Sequence, residues 1–253
     1  MEIRPEGFDT GQMGTGTALI RITSRSGLHM LTWAAVALGL SAGSGSAKDI
    51  KAMSDIDQRQ QQIVGQPPRI APLQPEQMGD EAKAIAERLR KAAGGPPTSE
   101  VPEIVATMLK HPGLYEKHLG LGVELLGNAT LKIRDRELAI LRTGWLLGAP
   151  YEWGEHVAIG KRAGLTDSEI ERITQGSAAP GWNRQDRAIL SAAEELREGA
   201  MISDETWAEL ASFLDEKQLI ELPYVIGNYT KVAYLQNSLR MRLGARNPGL
   251  SAR

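Results

Sequence analysis

The sequence predicts an all-α protein, and two observations support that prediction. Beyond residue 79, apolar residues recur at helical spacing in most segments, beginning with Ala82, Ile85, Ala86 and Leu89. No segment alternates apolar and polar residues over the length of a strand, and no repeat of about 20 to 50 residues recurs. With 253 residues, of which 42% are hydrophobic, the chain is long enough for one globular domain with a real core.

The N-terminal residues 1–47 are predicted to be a leader. An apolar run, Leu28–Ala42, follows Arg21 and Arg25 and is followed by small residues up to Ala47. This order is typical of a secretory signal, so we expect cleavage near Ala47 and a periplasmic or secreted protein. A membrane anchor is the alternative, but it needs about 20 predominantly apolar residues. If the leader is a mis-assigned start, a cytoplasmic protein is expected.

A polar arm over residues 48–79, rich in glutamine and proline, is predicted to separate this leader from the helical domain. The domain itself is expected to span residues 80–247. Lys and Arg number 29 against 31 Asp and Glu, and neither sign forms a long run, which disfavours nucleic acid as a partner. No stable membrane span is expected in the mature chain.

Start and stop signals define the helices of the domain in order. A Gly-Gly-Pro-Pro run at 94–97 ends a helix over about 79–92, and Pro102 occupies the first turn of the next helix. His111 and Pro112 end that helix and open a third. Later starts are marked by a capping side chain three residues before a carboxylate or amide, namely Thr166 with Glu169, Asn183 with Asp186, and Asp215 with Gln218.

Two consecutive helices are expected to carry the chemistry. They are predicted over about 133–147 and 151–163 and are joined by a short Gly-Ala-Pro turn, which makes them an antiparallel hairpin. Glu152 and His156 are four residues apart, so they point from the same helix face and can touch. Glu137, on the first helix, can be brought toward that face by the hairpin.

Two carboxylates and an imidazole in one partly apolar pocket can donate and accept protons, because imidazole titrates near the working pH. We expect Trp145, Tyr151 and Trp153 to line such a pocket and Arg142 to hold a substrate carboxylate. The alternative is that the Glu-His pair only stabilises a helix surface. A metal is not expected, because the His-Glu-x-x-His arrangement is absent.

Residues 134–173 resemble the core of the carboxymuconolactone decarboxylase family, which also includes the alkylhydroperoxidase D (AhpD) proteins. The resemblance is carried by Arg136-Glu137, by the Tyr-Glu-Trp before His156, and by the Ala-Gly-Leu-Thr-Asp run that follows. It implies an AhpD-like helical domain that assembles into homo-oligomers, a trimer or a hexamer.

The resemblance also implies a chemistry for the three residues. His156 is the principal acid or base, with Glu152 and Glu137 as relay members, in a cofactor-free lyase acting on a small carboxylated or lactone-like molecule of aromatic-compound catabolism. In the peroxidase branch of the family a Cys-x-x-Cys pair matches Ala149 and Glu152, but this chain has no cysteine, which disfavours hydroperoxide reduction. A catalytically silent binding or assembly protein is the third interpretation.

Overall fold

The structure is a computed structural model that describes residues 55–92 and 101–253. It confirms the all-α class, since every regular element within those ranges is helical. The α-helices of this part of the chain are α1 (Asp55–Ile63), α2 (Asp80–Ala92), α3 (Glu103–Met108), α4 (Pro112–Gly127), α5 (Ile133–Leu146), α6 (Pro150–Arg162), α7 (Asp167–Gln175), α8 (Arg184–Gly199), α9 (Asp204–Ala211) and α10 (Glu216–Leu239). Two short 3₁₀ helices are Pro75–Gln77 and Gly249–Ser251.

The leader predicted over residues 1–47, with cleavage near Ala47, lies outside the described residues, as does the Gly-Gly-Pro-Pro stop at 94–97. Export and processing therefore stay predictions. Among the helices of the described ranges, none combines the length and the apolar character that crossing a membrane requires.

The helices predicted to carry the chemistry are α5 and α6. Predicted over about 133–147 and 151–163, they run over Ile133–Leu146 and Pro150–Arg162. Gly148, in the turn between them, has a backbone φ of +52°, a left-handed conformation that glycine adopts without a steric penalty. The tight turn folds α6 back along α5, and the two helices pack against each other.

The predicted helix starts are confirmed by their caps. The Thr166 hydroxyl accepts the backbone N–H of Glu169 at 3.2 Å, and the Glu169 carboxylate accepts the N–H of Thr166 at 2.8 Å. The side chains of Asn183 and Asp215 likewise accept backbone N–H groups at the starts of α8 and α10. Sequence reasoning missed α9, whose N-cap is Ser203.

The predicted polar arm contains a helix, α1, that packs against the C-terminal segment. The Oε1 atom of Gln60 accepts the backbone N–H of Leu250 at 2.7 Å, and Arg59 donates to the carbonyl of Leu147 at 3.2 Å. Ile63 is buried at the end of this helix. These contacts join residues far apart in the chain, so the local glutamine-rich pattern could not indicate them.

Helix α5 is the centre of the main core. It packs against α6, α7, α8 and α10, and Leu138, Ala139, Ile140 and Leu141 are all fully buried. A helix enclosed on every side can keep charged residues only where these are paired, because an unpaired buried charge is costly. The charged side chains of α5 are accordingly bonded to neighbouring helices or to each other.

A smaller apolar cluster lies among α2, α3 and α4. Ile85 of α2, Leu109 after α3 and Tyr115 of α4 are its main buried members. This cluster packs against the first half of α4, and later residues of α4 contribute to a cavity that α6 and α10 also line. With Ile104 of α3, the fold therefore places four helices around one open space.

Candidate active site

The α5–α6 hairpin places His156 between two carboxylates. His156 Nδ1 lies 2.6 Å from Glu137 Oε2, across the hairpin, and His156 Nε2 lies 3.0 Å from Glu152 Oε1, one turn earlier on α6. All three side chains are buried, and Glu137 is fully enclosed. The contact expected from the spacing of Glu152 and His156 is present, and the hairpin adds Glu137 to it.

This geometry favours the protonated imidazole. Each ring nitrogen faces a carboxylate oxygen, and an ionised carboxylate can only accept, so both nitrogens serve best as N–H donors. Burial alone lowers the pKa of His156, but the hydrogen bonds with Glu137 and Glu152 outweigh it and raise that pKa from 6.5 to about 9. His156 is therefore an imidazolium at neutral pH.

The outer oxygens of both carboxylates are also occupied. Glu137 Oε1 lies 3.3 Å from the Arg136 guanidinium, which is buried and donates further to the carbonyl of Leu126 at 3.0 Å. Glu152 Oε2 accepts a hydrogen bond of 2.7 Å from the Gln236 side-chain amide. These bonds fix the rotamers of both carboxylates around the imidazole.

The ring of Tyr229, on α10, meets the His156 ring edge-on, with a centroid distance of 4.8 Å and an interplanar angle of 84°. Burial, with the charges of Glu152 and Glu137, raises the pKa of the Tyr229 phenol well above its usual range. Tyr229 therefore stays neutral and packs as an aromatic wall.

Glu152 and His156 open onto a cavity of about 820 Å³. Glu137 does not line this cavity, whereas Glu152 and His156 both do, so Glu137 lies on the interior side of the imidazole. Apolar side chains cover much of the remaining surface; those from α4 and α10 are Leu119, Val123, Leu126 and Val232. The cavity has the size and the mixed lining typical of sites for small organic molecules.

Of the predicted wall residues, only Tyr151 lines the cavity. Burial and the nearby charges of Glu155 and Glu152 raise its pKa to about 12. Trp153 is instead a core residue, whose indole N–H donates to the carbonyl of Ala252 at 3.1 Å. The Trp145 ring packs against it at a tilt of 55°, with a centroid distance of 4.9 Å, and, contrary to the prediction, neither tryptophan lines the cavity.

Arg142 is also placed elsewhere than predicted. Its guanidinium donates to Glu194 at 2.8 Å and to the carbonyls of Ile173 and Thr174 at 2.8 and 3.1 Å. The physical reason is helical azimuth, since a position five residues after Glu137 points about 140° away from it. Arg142 therefore joins α5 to α7 and α8 and does not line this cavity.

Sequence reasoning missed several polar residues around the cavity. Asn228 and Gln236 lie on the same face of α10 as Val232. The only indication in the sequence is that they stand four residues before and four residues after Val232, a spacing that places all three on one helix face. His118, on α4, is half-buried and lines the cavity. Its Nδ1 lies 3.1 Å from Nζ of Lys231.

Within the described residues, no group of three or more His, Asp or Glu side chains is arranged to hold a metal ion. Both ring nitrogens of His156 face carboxylates, so neither offers a free lone pair as a metal ligand does.

Comparison with known proteins finds a family model that matches the part of the chain containing the site. Residues 112–195 match the model of the carboxymuconolactone decarboxylase family, a segment that includes Glu137, Glu152 and His156. No curated protein matches the chain.

Several solved structures are similar to this fold. An uncharacterized peroxidase-related protein with an alkylhydroperoxidase AhpD core, from Ralstonia eutropha JMP134, is 16% identical with a TM-score of 0.59, covering 71% of this chain and 94% of that one. A peroxidase-related protein from Silicibacter sp. TM1040 is 18% identical with a TM-score of 0.58, covering 72% and 96%.

The debrominase Bmp8, in complex with 2,3,4-tribromopyrrole, is 18% identical with a TM-score of 0.57, covering 71% of this chain and 94% of its own. At such identities the likeness concerns the fold alone, and it confirms the AhpD-like helical architecture.

Proposed function

We propose that this chain, whose residues 112–195 match the model of the carboxymuconolactone decarboxylase family, is a cofactor-free acid-base lyase. Its substrate is a small carboxylated or lactone-like organic molecule. The observation that carries the proposal is a buried imidazolium, His156, held by Glu137 and Glu152 at the wall of a cavity.

The proposed reaction is a decarboxylation that consumes one proton. The bond between a ring carbon and its carboxylate breaks, carbon dioxide leaves, and the electron pair is delocalised into the conjugated lactone carbonyl as a dienolate. A proton from His156 Nε2 then passes through Glu152 to the carbon, and solvent reprotonates the imidazole. Glu137 stabilises the imidazolium without touching substrate, so it is a positioning residue.

The apolar wall of the cavity supports this reaction. A carboxylate concentrates its charge on two oxygens, whereas the transition state for loss of carbon dioxide spreads that charge into the ring. A poorly solvating surface, here Leu119, Val123 and Val232, disfavours the concentrated charge more than the dispersed one. Binding against this wall therefore lowers the barrier.

Thiol-dependent hydroperoxide reduction is not proposed, because the chain contains no cysteine to form a sulfenic acid or a disulfide. A halogenated ring is a second substrate class worth including in assays, because one protein of similar fold is a debrominase bound to a tribromopyrrole. If the protein turns over none of these substrates, the remaining interpretation is a catalytically silent binding protein.

The test is turnover of a panel of carboxylated muconolactones, followed by release of carbon dioxide and by loss of ultraviolet absorbance. His156→Ala and Glu152→Gln are expected to lower kcat by roughly a hundredfold to ten-thousandfold, the usual loss for an acid-base group. Glu198→Gln, an exposed carboxylate on α8, is the matched control and should leave kcat unchanged. Parent-like turnover in both site variants would refute the proposal.

A further inference from the structure

Tyr229 carries a hydroxyl without a protein partner beside the proton relay. It is only 5% exposed, it lines the cavity onto which Glu152 opens, and its ring packs against that of His156. Within the described ranges, no group forms a hydrogen bond with its phenol oxygen, and this oxygen is not among the unpartnered side-chain atoms that are sealed from solvent. The small accessible part of Tyr229 therefore includes the hydroxyl, which opens into the cavity.

The core holds this phenol in a fixed position. Val225 and Ala233, one turn before and one turn after Tyr229 on α10, are fully buried, and Tyr229 itself belongs to the main core cluster. A buried hydroxyl without a partner costs free energy unless water or a ligand satisfies it. A hydrogen-bond donor whose position is fixed in advance is suited to a charge that develops during a reaction, because it needs little reorganisation.

The Tyr229 hydroxyl is suited to share its proton and not to release it. Burial, with the charges of Glu152 and Glu137, raises the pKa of the phenol well above its usual range. The imidazolium of His156, with a pKa of about 9, is the stronger acid of the two. Proton delivery therefore stays with His156 and Glu152, and Tyr229 acts as a neutral hydrogen-bond donor.

The proposed decarboxylation creates a charge that such a donor can stabilise. The electron pair of the breaking bond passes into the conjugated carbonyl, whose oxygen becomes the oxyanion of the dienolate. Leu119, Val123 and Val232 of the cavity wall are apolar and offer this oxygen no hydrogen bond. A hydroxyl that binds the oxyanion more strongly than the neutral carbonyl lowers the barrier, because its stabilisation grows toward the transition state.

We propose that Tyr229 is a catalytic residue whose hydroxyl donates a hydrogen bond to the substrate carbonyl oxygen and stabilises it as the dienolate oxyanion. The inference rests on the proposed function and assigns a further residue to it. When the relay protonates the carbon, the electron pair forms the new carbon–hydrogen bond, the carbonyl is restored, and Tyr229 keeps its proton throughout. If the hydroxyl contacted only water, removing its oxygen would change neither catalysis nor binding.

Tyr229→Phe removes the hydroxyl and keeps the ring against His156. On a lactone that the parent decarboxylates, we expect kcat to fall by about a hundredfold to a thousandfold, the usual loss for one oxyanion donor, with KM little changed. Tyr224→Phe, which removes the hydroxyl of an exposed tyrosine on the same helix, is the matched control and should behave as the parent. The free energy of unfolding should be unchanged in Tyr229→Phe, because no protein hydrogen bond is lost. A parent-like kcat in Tyr229→Phe would overturn the assignment.

A binding measurement tests the same hydroxyl without turnover. Para-nitrophenolate presents a delocalised oxyanion on a planar ring, and nitrobenzene is the same ring without that oxygen. Both are titrated calorimetrically into the full chain, at a pH at which the phenol is ionised. Tyr229→Phe should weaken phenolate binding by about tenfold to a hundredfold and leave nitrobenzene binding unchanged. Unchanged phenolate binding, equal losses for both probes, no phenolate binding by the parent, or a loss seen only in Tyr151→Phe would contradict the proposed donor.

The oxyanion donor and the lyase proposal can fail separately. Phenolate binding that depends on Tyr229, in a protein that turns over no lactone, would retain the oxyanion donor and remove the lyase. Turnover that depends on His156 but not on Tyr229 would do the reverse.

Discussion

At the scale of single residues, the central feature is an imidazole whose two nitrogens both face carboxylates. Sequence spacing was sufficient to place Glu152 next to His156, because residues four apart share a helix face. It could not place Gln236, whose hydrogen bond to Glu152 joins α10 to α6. Residue spacing along the chain predicts contacts within one helix, but it does not predict contacts between helices that are distant in the sequence.

Glu137 gives a prediction that belongs to this scale. Glu137→Gln removes a charge that raises the pKa of His156, so that pKa should fall below its present value of about 9. The alkaline limb of the pH profile of kcat, where the acid is lost, should therefore move to lower pH with little change in KM. Initial rates between pH 6 and 10 test this, and an unmoved limb would contradict the positioning role.

At the scale of elements, the hairpin and most helix starts were predictable because their signals are local. Capping residues such as Thr166 and Asp215, and the glycine turn at Gly148, act within a few residues. Helix α1 and the cavity wall on α4 were missed because long-range packing defines them. The position of Arg142 away from the cavity was missed for a related reason, since its partners lie on α8 and at the end of α7.

Arg142 supplies the prediction at this scale. Arg142→Met leaves two backbone carbonyls and Glu194 without their charged donor, and should lower the free energy of unfolding by about 2 to 3 kcal/mol. Urea unfolding measures that loss. Because the guanidinium does not line the cavity, KM for any substrate found should stay at its parent value. A raised KM at unchanged stability would restore the substrate-binding role.

At the scale of the whole molecule, the relay couples the protonation of one buried residue to folding. The pKa of His156 is raised from 6.5 to about 9 in the fold, so its stabilising contribution is complete below pH 6.5 and is lost as the pH rises through 9. The unfolding free energy of the parent should fall across that interval by a few kcal/mol. His156→Gln should remove this dependence, and an equally steep fall in both proteins would contradict the linkage.

The proposed proton donor requires that His156 carries two ring protons at neutral pH. Nitrogen-15 NMR of the histidine side chains distinguishes an imidazolium, with both nitrogens protonated, from a neutral ring with one bare nitrogen. We expect an imidazolium signal for His156, absent from His156→Gln, that persists at pH 7 and titrates with a pKa of about 9. A neutral His156 ring at pH 7 would contradict the proposed proton donor.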